Sequence, residues 1–164
     1  MDAKEIKEVL ALHQLWLDPD GAKGKKADLR YADLRYADLS GANLEGADLR
    51  EADLTGSNLS EACLYGADLR EACLYGADLR EADLTKANLW EANLYIAKLN
   101  GVDLRGAYLS GATLDAADLR GVKVALELCE VYSLDGAKVS EEHLPWIILH
   151  PRHFKWFKTL KVSA

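Results

Sequence analysis

Leucine returns at every fifth position from Leu29 to Leu119 without a miss, nineteen times. Two positions before each leucine stands a small residue, alanine everywhere except Ser57 and Val102. Between the two lies most often Asp or Asn, as at Asp28, Asn43 and Asp48, so the unit is A-[D/N]-L-x-x. On an α-helix five residues turn about 500°, successive leucines would precess by about 140°, and no apolar stripe would form. On a strand the Ala and the Leu share one face and the Asp or Asn takes the other. Five is odd, so a straight strand would present the next Ala–Leu pair to the wrong side. The chain must therefore turn a corner in the two remaining positions, where glycines such as Gly41, Gly66 and Gly76 recur. Each pentapeptide reads as a three-residue strand plus a corner. Closed coils of such units, stacked on an axis, bury every Ala and Leu and form an all-β solenoid. The literal duplication of EACLYGADLR over residues 61–80 fits this, because each side of a coil asks for the same local chemistry.

The run from Ala27 to Gly121 resembles the pentapeptide repeat proteins, whose signature is A-[D/N]-L-x-x. The resemblance implies a right-handed quadrilateral β-helix with four pentapeptides per coil, the central Leu and the Ala two before it filling the shaft. Residues twenty apart then stack about 4.8 Å apart, and the repeats make about five regular coils, a rod roughly 23 Å long. Val124, Cys129, Leu134 and Val139 keep the phase, with Ala137 two before the last, so residues 122–139 are expected to add a degenerate coil with Cys129 inside.

Both ends of such a stack need covering. Residues 3–17 place Ile6, Val9, Leu10, His13, Trp16 and Leu17 at helical spacing, and Asp2 with Glu5 offers a capping box. This segment predicts an N-terminal helical lid ended by the turn DPDG, and it resembles the helical cap of some family members. The C-terminal residues 140–164 hold Trp146, Ile148, Phe154, Trp156 and Phe157 among four cations and no acid after residue 143. Ser140 is a candidate cap for a short helix there. The segment reads as a second lid, as a lid that also makes a homodimer contact, as in some relatives, or as a basic membrane anchor. The division expected is a single domain: cap and turn 1–20, repeats 21–121, degenerate coil 122–139, C-terminal cap 140–164.

The net charge of −7 argues against direct nucleic-acid binding. No apolar run reaches the length of a membrane span, the start lacks a signal-peptide stretch, and three cysteines set no disulfide framework, so a cytoplasmic protein is expected. Cys63 and Cys73 point outward half a coil apart, on opposite faces, and cannot bridge each other. His150 and His153 in H-P-R-H have no third ligand nearby, and no titratable groups converge on a cleft. The expectation is no catalysis, no cofactor and no metal.

What information remains lies on the outward positions. One face stacks Asp28, Asp48, Asp68 and Asn88 beside Arg30, Arg50, Arg70 and Trp90, with Glu51, Glu71 and Glu91 next along. The face opposite is read as carrying Tyr75 and Tyr95 with Ile96 adjacent and Asp115 further along, a candidate protein-contact patch, while Tyr65 sits elsewhere. Two functions follow: a non-catalytic interaction or scaffold rod with an unidentified protein partner, or a DNA mimic that inhibits or protects a type II topoisomerase (DNA gyrase), as quinolone-resistance family members do. Residues 27–121 hold 11 Asp and 6 Glu against 7 Arg and 2 Lys, a net charge of −8. B-DNA of the same length carries about 14 negative charges. The central position also holds Leu throughout, where the resemblance implies that inhibitors favour Phe, and the unbroken register leaves no room for projecting loops.

Overall fold

The computed structural model describes residues 1–20, 23–123, 133–140 and 161–163. It opens with helix α1, Ala3–Leu17, started by the expected capping box. The Asp2 carboxylate accepts the Lys4 and Glu5 N–H groups at 2.8 Å, and Glu5 accepts the Asp2 N–H at 2.7 Å. Ile6 and His13 are buried, and Val9 and Leu10 pack on the core. Trp16 departs from the expected buried face: it is exposed, and its ring stacks flat on His13. The returning chain takes the space beneath the last turn. Gly24 lies so close that a Cβ there would fall 1.9 Å from the Trp16 nitrogen, and Lys25 N–H donates to the Leu12 carbonyl at 2.9 Å.

From Asp28 onward the residue before each central Leu forms a parallel bridge to the residue twenty later, as in Asp28↔Asp48↔Asp68↔Asn88. Four pentapeptides therefore close one coil. Leu29 N–H donates to the Asp48 carbonyl at 2.8 Å, and Asp48 N–H donates to the Ala27 carbonyl at 3.0 Å. The leucines from Leu29 to Leu119 are at most 2 % exposed, and the alanines pair with them inside, except that Ala32, Ala37 and Ala42 of the first coil are only half-buried.

The preference for Asp or Asn has a local cause. Its side-chain oxygen accepts the N–H two residues on, as from Thr55 to Asp53 at 3.0 Å and from Glu45 to Asn43 at 3.1 Å, satisfying a donor as the chain turns. The last residue of each corner is left-handed, with φ +62° at Gly66 and +56° at Glu51. Glycine takes that conformation without strain, and other residues at a cost of roughly 1–2 kcal/mol.

The register continues past the clean motif. Ser133 bridges Thr113, Lys138 bridges Asp118, and Leu134, Ala137 and Val139 are buried. Val124 and Cys129 lie outside the described residues. Strand β1, Lys138–Ser140, pairs in parallel with β2, Lys161–Ser163. The segment read as an aromatic or helical cap thus ends in a strand on the solenoid's edge, where unpaired backbone needs partners. Ser140 closes β1, and its hydroxyl accepts the Gly121 N–H at 3.1 Å.

Candidate interaction face

The twenty-residue bridges sort the outward side chains into columns. Asp33, Asp53, Cys73, Asn93 and Thr113 form one ladder, a quarter-coil on from Asp28, Asp48 and Asp68. Tyr75 and Tyr95 stand on that ladder's face, so it adjoins the Asp–Arg face. The expectation that the two are opposite is corrected: five residues of chain span one side of the coil, not two. Tyr75 and Tyr95 meet at 5.5 Å between ring centroids, and the Ile96 side chain lies 3.7 Å from where a Cβ on Gly76 would sit. All three are about 40 % exposed (42, 40 and 39 %), so the structure brings the three sequence candidates into one patch open to solvent. Ile96 is also strained: a β-branched residue at φ +52°, on a corner whose equivalents are Gly56 and Gly76.

The adjoining face is closed on itself. Arg30, Arg50 and Arg70 fork onto Asp28, Asp48 and Asp68 of their own repeats at 2.6–2.8 Å. Arg35, Arg80, Arg105 and Arg120 repeat the arrangement with Asp33, Asp78, Asp103 and Asp118. Hydrogen bonds from Arg30 hold the Asp28 carboxyl at about 2, and the Asp48 and Asp68 carboxyls are lowered by the same cause. The arginines between residues 27 and 121 are thereby committed, and seven of the aspartates are compensated within their own repeats.

The family model of pentapeptide repeats (8 copies) matches residues 27–64, 62–95 and 97–124. The chain belongs to the pentapeptide repeat family. Among solved structures it is similar to a pentapeptide repeat protein from Nostoc PCC 7120, 29 % identical over 73 % of this chain and 95 % of that one, TM-score 0.49. It is also similar to one from the Arabidopsis thaliana thylakoid lumen, 25 % identical over 63 % and 68 %, TM-score 0.41. A third is HetL, involved in heterocyst differentiation regulation in Nostoc sp. strain PCC 7120, 30 % identical over 70 % and 66 %, TM-score 0.33. No curated protein matches the sequence.

Several features of this pentapeptide repeat protein escaped the sequence reading. Tyr31, Tyr36 and Tyr108 are the most exposed aromatics among the described residues, at 69, 78 and 66 %. Counting each corner column in steps of twenty would have found Tyr36 in line with Ile96. Tyr65, by contrast, is engaged: Lys86 Nζ donates to its hydroxyl at 2.8 Å. Cys63 and Cys73 are half-buried free thiols on opposite faces. His13 is buried, and its Nδ1 accepts the Ala27 N–H at 3.1 Å. Burial pushes its pKa below 6.5, aided by Lys26 and opposed by the Glu45 backbone and carboxylate. Among the described residues no group of His, Cys, Asp and Glu is arranged to hold a metal, and no helix is long and apolar enough to cross a membrane. Trp146, Ile148, Phe154, Trp156 and Phe157 lie outside the described residues, and with them the dimer contact.

Proposed function

We propose that this protein is a non-catalytic binding rod whose contact face for a protein partner is built on Tyr75, Tyr95 and Ile96. The observation that carries this is Ile96, an exposed β-branched side chain held left-handed beside two exposed tyrosines whose rings contact each other at a tilt of 31°. The solenoid has no need of isoleucine at a corner where Gly76 and Ala116 serve in the adjoining coils, and strain of this kind collects at functional surfaces. The rod in this reading is right-handed, about five regular coils and one degenerate coil, with α1 and the C-terminal segment as caps. Imitation of DNA is the weaker reading, because forked arginines neutralise seven of the aspartates such a mimic would present.

The test is affinity capture from nuclease-treated host lysate with the wild-type chain and with the Tyr75→Ala/Tyr95→Ala variant. A protein retained at high salt and lost with the double variant is the expected result. A topoisomerase recovered at low salt only, and insensitive to the tyrosines, would overturn it in favour of mimicry.

A further inference from the structure

The column of last corner residues beside the tyrosines differs from the other three in holding no charge, with Arg35, Asp115 and Asp135 standing one residue before it. In steps of twenty it reads Tyr36, Gly56, Gly76, Ile96, Ala116 and Gly136, with no charged residue. Among the described residues the other corner columns carry Glu51, Glu71 and Glu91; Glu61 and Glu81; and Lys86. The apolar column spans six coils, about 24 Å at the spacing of stacked strands. The Tyr36 ring covers Gly56 and Ile96 leans on Gly76, so the two bulky side chains fold over the glycines between them and make one apolar ridge, with Tyr75 and Tyr95 along its side.

The far border of the same face is the Glu51–Glu71–Glu91 ladder. All three are exposed, and none of the arginines reaches them, each being forked to an aspartate. Between ladder and tyrosines lie Cys73 and Asn93, uncharged. Four residues of extended chain separate Glu71 from Tyr75, about 13 Å. An apolar row and an uncompensated negative row thus run parallel, about one helix diameter apart. The helix pitch of about 5.4 Å is close to the coil spacing of about 4.8 Å, so residues one turn apart meet successive coils.

We propose that this face docks a basic amphipathic helix of a partner protein, lying along the rod axis. Its apolar stripe covers Tyr75, Tyr95 and Ile96, and its Lys or Arg side chains reach Glu51, Glu71 and Glu91. The proposal rests on the protein-binding reading above and adds the chemistry of the partner.

The probe is a designed 18-residue helical peptide with leucines at i, i+3, i+4 and i+7 spacing flanked by lysines, titrated into the ¹⁵N-labelled full chain. Expected are shifts concentrated on residues 71–76 and 91–96. Affinity should fall at least fivefold in Ile96→Gly, and again in Glu71→Gln/Glu91→Gln. The same peptide with Glu in place of Lys should not bind. Ile96→Gly is the informative variant because glycine suits φ +52° and leaves the coil folded. Shifts centred on the Glu61–Glu81 corner, shifts spread over every acidic face, equal binding of the Glu peptide, or no shift at millimolar peptide would each overturn the proposal. So would the same shifts arising from protein concentration alone, which would assign the face to a second copy. If lysate capture still depends on Tyr75 and Tyr95 while the peptide fails, the protein-binding reading stands and the helix chemistry falls.

Discussion

Two adjoining faces of this rod share one backbone and one core, yet one is closed and the other open. On the Asp28–Asp48–Asp68 face each carboxylate caps its corner and receives the arginine of its own repeat, so local chemistry uses up its charges. On the Tyr75–Tyr95 face the fork recurs only in the first coil, at Asp33 and Arg35, and the later coils carry Cys73 and Asn93 with two aromatic rings against each other. A solenoid places no demand on its outward positions beyond the corner cap, so faces can diverge without disturbing the stack. The difference between them is where function can be written.

The largest break in this comparison comes from beneath both faces at once. Leu69→Lys puts an unpartnered charge into the filled shaft, where Leu69 is fully buried, and should cost more than about 3 kcal/mol by denaturant unfolding. The two faces should be lost together. Next comes the lid: His13→Ala removes the acceptor of the Ala27 N–H and empties a buried site, costing about 2 kcal/mol. The loss should be confined to the first coil by hydrogen exchange and leave the tyrosine face intact.

The same histidine gives the lid a pH dependence. Its folded pKa lies below 6.5, so its contribution is complete above pH 6.5 and is lost as pH falls through the folded value, because a protonated Nδ1 cannot accept. Melting temperature should therefore drop on going from pH 7.5 to 5 in the wild type, and less so in His13→Ala. The forked face answers at lower pH: the Asp28 carboxyl moves from 3.8 to about 2, so its contribution is present above pH 3.8 and disappears between there and about 2.

Smaller effects sharpen the contrast between the faces. Ile96→Gly relieves a left-handed isoleucine and should leave the melting temperature unchanged or raised, by up to about 1 kcal/mol in stability. Asp68→Asn keeps the corner acceptor and removes only the fork, and should change stability by less than about 0.5 kcal/mol. A large loss in either would mean that the faces are not independent of the stack.

Much of this was legible beforehand. The Ala–Leu alternation and the odd period dictate strand-plus-corner units with a filled interior, and the Asp2–Glu5 pair marks the start of α1. The candidates Tyr75, Tyr95 and Ile96 were named from sequence, although on the wrong side of the coil relative to the Asp–Arg face. Exposure of Trp16 was not legible, because it depends on where Gly24 brings the chain back against the helix. The pairing of β2 with β1 was hidden because Val162, unlike its partner Val139, lies outside the five-residue phase.

The sequence by itself determined what each pentapeptide does, since capping, alternation and left-handed corners are settled within a few residues. Which pentapeptides become neighbours is not in the pentapeptide itself: the family resemblance implied four to a coil, and the closed stack carries it. That depends on the coil closing after four corners, so that Asp28 meets Asp48, and on backbone bonds between residues twenty apart holding the closure. The uncharged corner from Tyr36 to Gly136 is written one residue per coil, and exists as a surface only once the coils are stacked.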